Sequence, residues 1–387
     1  MREYLMSKVV WISDLDLRGS GYMNLSLPLC SGLHNAGHNV KIIGLGYKGE
    51  EHPYPFSIIP TNNFQEVFAM LQNLWNMTQF DVLIVALDIP LQIQILHQIQ
   101  QRPFKYVGIM PIEADPLCFT WAYNLGLMDK ALIISEFGTE EAQKMGVNAV
   151  HIPIGIDTEA WRMPTPEERK KIRLSMFGIE DDNEFVILTV ADNQERKNLS
   201  AAMEIFKKFQ EKVPNSKQVF VTREFNLVGW NLKDYAQELG IMNNFMLFER
   251  GMDFRQLWSI YAGSDCFLLT SKAEGLGLPL LEAMAVGLPC IATNCTGMKE
   301  LLSDGRGHLV DYYFKDEPEK MYRDPFGNGF RYFIDKGKAT ETLFNVFQFS
   351  ESYMENVLPT ARKFVEQRNW KDGIRVLLGV LENLKGI

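Results

Sequence analysis

The chain has 387 residues, 46% of them hydrophobic and 22% charged, with a formal net charge of −9. That length supports two domains, each with an ample core. The acidic balance argues against nucleic acid as a partner, because binding a phosphate backbone needs a basic face. It also argues against electrostatic docking to an anionic membrane. No apolar stretch of the sequence approaches the roughly 20 residues that span a bilayer, so at most peripheral membrane contact is expected. The first ten residues lack the apolar core of a signal peptide. The five cysteines (Cys30, Cys118, Cys266, Cys290 and Cys295) form no C-x-x-C pair. They read as small buried hydrophobes of a reducing compartment, so a cytoplasmic protein with no cysteine-built metal site is expected.

In chain order, residues 9–12 read as a strand, 22–35 as a helix ended by Gly37, and 40–43 as the next strand. A proline-rich loop (Pro53, Pro55, Pro60) leads to a helix at 64–77. Strands at 81–87, 106–110, 131–134 and 150–153 follow, with helices at 91–100 and up to Met145 between them. This βαβ alternation implies a parallel sheet with helices on both faces.

Between 157 and 183 the alternation breaks at Pro164, Pro166 and a charged run at 167–171. This stretch reads as a polar linker with one solvated helix. Strands at 185–191, 219–221, 246–248 and 266–269 then interleave with helices at 199–212, 232–239 and 254–262. The expected architecture is α/β: two Rossmann-like domains in tandem facing each other across a cleft. Residues 1–160 form the first domain, 161–182 a linker, 183–368 the second domain and 369–387 a final helix. Residues 311–336 are irregular and rich in aromatics, a surface excursion by their pattern, and 360–384 are helical with a bend at Trp370.

The most informative stretch follows the apolar run 266–269. A loop with Gly275 and Gly277 leads into a helix with Pro279 at its first position and Gly287 after its last, the usual proline-in, glycine-out asymmetry. In strand–loop–helix units ligands sit at the carboxyl end of the strand, where free N–H groups at the helix start favour an anion or a ring of hydroxyls. Glu274 in that loop and Glu282 one turn into the helix stand at different depths of such a site. Two plainer roles are open to them: Glu282 offsetting the helix dipole and Glu274 a solvated loop acid.

Residues 274–289, Glu-Gly-Leu-Gly-Leu-Pro-Leu-Leu-Glu-Ala-Met-Ala-Val-Gly-Leu-Pro, resemble the signature of the family-4 retaining glycosyltransferases of the GT-B fold. That signature is Glu-Gly-x-Gly-Leu-Pro-x-x-Glu-Ala-Met-Ala-x-Gly-x-Pro, and every fixed position is matched. The resemblance implies a donor of the nucleotide-diphosphate-sugar class, with UDP or GDP as carrier. It implies transfer of a hexose with retention to a hydroxyl of a glycan, lipid-linked or small-molecule acceptor. No metal or other cofactor is implied. Glu274 with the backbone of Gly275, Leu276, Gly277 and Leu278 would hold the donor sugar, Glu282 the ribose, and the final helix would cross back to the first domain.

Arg196-Lys197-Asn198 precedes the helix at 199–212, with Asn198 placed to cap it. Two cations beside a helix start suit a diphosphate. Lys197 aligns with the lysine of the family pattern Gly-Arg-Leu-x-x-x-Lys-Gly. Ala191-Asp192-Asn193 stands where Gly-Arg-Leu is expected, so the family arginine is replaced by Asp192 and Arg196 is the candidate second cation. Near the N-terminus, Gly19, Ser20 and Gly21 form a glycine-rich turn between first strand and first helix, resembling the GT-B loop that meets phosphate or acceptor. Glu113, at the end of the strand at 106–110, is the acceptor-side candidate, with Asp115 second. Ser135 reads as a helix cap. Two rival functions share the fold: a nucleotide-sugar epimerase and a non-catalytic nucleotide-sugar binding protein.

Overall fold

The computed structural model describes residues 6–16, 21–99, 101–180, 183–227, 229–317, 322–323 and 329–385. The chain divides into two compact units, Met1–Gly155 with Arg368–Ile387, and Ile156–Gln367.

The first unit is built on seven strands: β1 (Lys8–Asp14), β2 (Asn39–Leu45), β3 (Ser57–Thr61), β4 (Val82–Ala86), β5 (Lys105–Met110), β6 (Lys130–Ile133) and β7 (Ala149–His151). They run parallel in the order β3-β2-β1-β4-β5-β6-β7. Their apolar runs are buried, as strands covered by helices require: Val10, Ile12, Leu83, Val85, Tyr106 and Ile133 share one core. Strand order reverses between β1 and β4, and in doubly wound sheets that switch point is where ligands settle. The final helix, Trp370–Lys385, belongs to this unit. It packs against the helix Gly21–Asn35 so closely that a Cβ on Gly32 would lie 2.5 Å from Ile374. The proline-rich stretch contains strand β3, which runs through Pro60. Pro60 is tolerated because β3 pairs only with β2, at the sheet edge.

The second unit repeats the pattern with β8 (Phe185–Val190), β9 (Ser216–Thr222), β10 (Phe245–Glu249), β11 (Cys266–Leu269), β12 (Cys290–Thr293) and β13 (His308–Val310). The order is β10-β9-β8-β11-β12-β13, all parallel, with the reversal between β8 and β11. Ile187, Phe206, Phe209, Phe220, Leu268 and Leu343 lie in its core. Three helices close the unit: Lys336–Gln348, Ser350–Asn356 and Leu358–Gln367.

One expectation is corrected here. Residues 161–182 are not a linker, because their described part belongs to the second unit. The helix Pro166–Phe177 starts with a Thr165/Glu168 capping box and ends at Gly178 with φ 68°, both legible signals. Only one of its faces is solvated; the other is buried: Arg173 is 1% exposed, and its guanidinium donates 2.9 Å to Asp265 Oδ2 and 2.9 Å to the carbonyl of Gly263. Arg169 donates 2.6 Å to Asp265 Oδ1, and the Val186 N–H donates 2.8 Å to Oδ2. A sequence pattern of charges gave no hint that two arginines converge on one aspartate, 96 and 92 residues away. Removing that aspartate strands a buried guanidinium. D265A is therefore expected to lower the unfolding free energy by about 3–5 kcal/mol in urea or guanidinium titrations; a loss within error of wild type would contradict this role.

Candidate active site

The candidate site lies at the carboxyl ends of β8 and β11, neighbours at the switch point of the second sheet. Strand β11 delivers the loop 270–277. Gly277 takes φ 97° as the residue before the helix Leu278–Val286, and Gly287 takes φ 89° after it, conformations that favour glycine. Pro279 occupies the second helical position, one later than expected. The loop is held from behind. The Glu274 N–H donates 2.9 Å to Thr296 Oγ1, and the Gly297 N–H donates 3.1 Å to the Glu274 carbonyl. A Cβ on Gly297 would lie 2.6 Å from the Leu276 backbone, so this close approach demands glycine.

Strand β8 delivers the cations on a short 3₁₀ turn, Glu195–Lys197, followed by the helix Leu199–Gln210. Asn198 is the residue before that helix, but its side chain makes no capping bond; instead its backbone is left-handed, φ 54°. The turn is stitched to the loop. The Lys272 N–H donates 2.8 Å to the Arg196 carbonyl, and Thr270 Oγ1 donates 2.9 Å to the Asn198 carbonyl. The Lys272 ammonium pairs with Glu195 and stands 4.3 Å above the Phe333 ring. The Tyr332 N–H donates to the Lys272 carbonyl. The aromatic-rich segment thus rests partly on this loop.

At the centre is the Glu274 carboxylate, 7% exposed. Lys197 Nζ donates to both its oxygens, 2.6 and 2.8 Å, and Ser271 Oγ donates 2.6 Å to Oε1. Arg196 Nη1 donates 3.2 Å to Oε2 and 2.5 Å to the Ala273 carbonyl. Burial alone would push this carboxyl up; the charges of Lys197 and Arg196, with the bonds from Lys197 and Ser271, outweigh it and hold it at about 2. Glu274 is no solvated loop acid.

Glu282 behaves oppositely. It is half-buried with one bond, from Tyr261 OH at 2.7 Å. Burial pushes its carboxyl up to about 7, the tyrosine bond only partly opposing this. The two acids of the motif therefore differ in charge near neutrality, as environment dictates.

Asp192 stands at the end of β8, where the resemblance expects an arginine. Its carboxylate receives Arg223 Nε at 2.7 Å, with Arg223 Nη2 also bound, and Arg250 Nη1 at 3.2 Å. These arginines follow β9 and β10 directly. The sequence reading missed both, although an arginine immediately after each of two strand patterns was a visible signal.

In the first unit, Glu113 is half-buried just beyond β5. Tyr22 OH donates 2.6 Å to Asp88 Oδ1. Burial, then Asp88, Glu113 and Asp14, hold the tyrosine hydroxyl well above its usual range, so it stays protonated. Gly21 is the first residue of its helix, while Gly19 and Ser20 lie outside the described residues. Ser135 accepts 3.1 Å from the Gly138 N–H and caps its helix as expected. The structure thus groups Glu274, Lys197 and Arg196 in one cluster of the second unit, with Gly275–Leu278 beside them; Glu113 and Gly21 lie in the first unit.

Two Rossmann-type units of this topology define the GT-B glycosyltransferase fold. Sucrose-phosphate synthase of Thermosynechococcus elongatus superposes over 98% of this chain and 99% of its own, with TM-score 0.76 and 14% identity. HepE of Anabaena, solved with UDP-glucose, superposes over 98% of this chain and 100% of its own, with TM-score 0.72 and 15% identity. More particularly, residues 173–322 match the family Glycosyl transferases group 1. Among curated relatives, the GDP-mannose-dependent alpha-(1-6)-phosphatidylinositol monomannoside mannosyltransferase of Mycolicibacterium smegmatis is 27% identical over 51% of this chain and 50% of its own length. The chain spans about half the length of the first curated relatives it matches.

The raised carboxyl of Glu282 has a measurable consequence. From about pH 4.5, the ordinary value, to about 7 the folded chain holds this proton more tightly than the unfolded chain. Its contribution is complete below that window and is lost as pH rises through it. E282Q keeps an acceptor for Tyr261 and lacks this slope. Its denaturation midpoint relative to wild type should therefore rise between pH 5 and pH 8; a constant difference across that range would contradict the assignment.

Proposed function

We propose that the chain is a retaining glycosyltransferase that moves a hexose from a nucleotide-diphosphate sugar, with UDP or GDP as carrier, to an acceptor hydroxyl, without a metal. The observation that supports it most is the cluster of Lys197, Arg196 and Glu274 at the strand ends of the segment that matches the group 1 family. Two relatives point to the same donor class by name: one is GDP-mannose-dependent and one was solved with UDP-glucose.

In this reading the diphosphate meets Lys197 and Arg196. When the anomeric C–O bond breaks, negative charge grows on the leaving phosphate, so cations fixed beforehand stabilise the transition state more than the ground state. Glu274 plays two parts. It orients the ammonium and guanidinium, and it accepts hydroxyl hydrogen bonds from the donor sugar at the oxygen sites that Lys197 gives up as its ammonium turns to the diphosphate. The backbone of Gly275, Leu276, Gly277 and Leu278 lies beside that sugar, and Glu282 holds the ribose. The acceptor is assigned to Glu113 and to Gly19, Ser20 and Gly21. Retention follows from attack on the face the phosphate leaves, with a phosphate oxygen taking the acceptor proton.

The test is a nucleotide-release assay over a panel of UDP- and GDP-sugars, with product analysis for transfer and anomeric configuration. One donor class should be turned over, and K197A should lower kcat by about 10²–10³ while circular dichroism shows a folded chain. Full activity of K197A, or absence of both binding and release with every donor, would overturn the proposal. An epimerised donor without released nucleotide would favour an epimerase.

A further inference from the structure

Two cation pairs stand at the carboxyl ends of the second sheet, and the proposed function uses only one. The other is Arg223 with Arg250 on Asp192. Two guanidiniums meet one carboxylate there, beside the turn that carries Lys197. The connection is short: Gln194 donates to both the carboxylate and the carbonyl of Asp192, and the Lys197 N–H donates 2.9 Å to the Gln194 carbonyl.

Asp192 has no acceptor capacity left for a ligand. Its Oδ1 receives Arg223 Nε at 2.7 Å, Asn193 N–H at 3.1 Å and Arg250 Nη1 at 3.2 Å; its Oδ2 receives Arg223 Nη2 and Gln194 Nε2 at 2.9 Å. A carboxylate offers about four lone-pair sites, so its function is to orient the arginines. Exposure points the same way. The Asp192 side chain is 14% exposed and the Arg223 side chain 44%, so the arginine is in part accessible while its Nε–Nη2 edge is held on the carboxylate.

The loop that carries Arg223 is itself strapped to the same turn. Asn193 Nδ2 donates 2.7 Å to the Trp230 carbonyl, and the Trp230 N–H donates 2.9 Å to Asn193 Oδ1. Gly229 lies so close that a Cβ would meet the Asn193 carbonyl at 2.3 Å. The neighbouring acid on the loop, Glu224, pairs with Lys233 at 2.8 Å. Such prearrangement exceeds what stability explains, since an ion pair with a partner this exposed contributes little.

We propose that Arg223 is a phosphate-binding residue of this chain, a guanidinium delivered from the loop after β9 and oriented by Asp192, which takes an oxyanion of a diphosphate-bearing ligand next to Lys197. The exchange is one of provenance: a side chain from β9 supplies the charge that residue 192, an aspartate here, does not. The inference rests on the donor class proposed above.

The test is calorimetric titration of the full chain with inorganic pyrophosphate, UDP and GDP. R223Q should weaken binding of pyrophosphate and of the preferred nucleotide about tenfold or more, with Tm within about 4 °C of wild type. R223K should recover part of the loss. R223D places two acids together and should abolish binding, and the exchange D192R/R223D, which returns a guanidinium from the opposite strand, should restore it. If R223Q binds like wild type, or if the exchange restores Tm but not affinity, Arg223 only braces the strand ends and the inference is overturned while the donor reading stands. A wild-type chain that binds neither nucleotide nor pyrophosphate overturns both.

Discussion

A buried carboxylate must be compensated, and in this chain the second unit is arranged around the compensation of one. Glu274 would carry a severe desolvation penalty alone. Lys197 and Arg196 reverse the sign of its shift, and Ser271 fills a remaining acceptor site. The partners come from strands β8 and β11, 77 residues apart in sequence for Lys197 and Glu274. They meet because the sheet reverses its winding between those strands. The topology therefore fixes the charge arrangement, and the charge arrangement defines the chemistry.

The support for that cluster is backbone as much as side chain. Lys272 bonds the cation turn through its N–H and its ammonium, while Thr270 reaches across to the Asn198 carbonyl. Thr296 and Gly297 fix the Glu274 backbone from the other side. A site held this firmly loses little entropy in aligning its cations with a developing charge, which is the advantage of prearranged electrostatics. The aromatic-rich segment shares in this support through Phe333 and Tyr332, a role that its composition did not disclose.

Much of the fold was legible because buried parallel strands announce themselves as apolar runs and the helices carry proline and glycine at their ends. Residues 274–289 disclosed the loop and its acids by pattern. What stayed hidden depended on distant partners. The helix Pro166–Phe177 reads as a charged surface segment until Asp265 arrives to bury Arg173. Strand β3 was obscured by Pro60, acceptable only because the strand lies at an edge. That Glu274 would stay ionised while Glu282 is only half ionised near pH 7 follows from Lys197 and Arg196 beside the first and from burial of the second, neither of which a local pattern discloses. The aspartate at 192 looked like a missing cation; in three dimensions it gathers two.

We propose that the Lys197–Arg196–Glu274 cluster is a seat for a nucleotide diphosphate. A crystal structure of the chain with UDP or GDP bound tests this most directly. Phosphate oxygens are expected within about 3 Å of Lys197 Nζ, the spacing of a charge-assisted hydrogen bond. A nucleotide bound elsewhere, with the Lys197–Glu274 pair unchanged and no phosphate beside it, would refute that role.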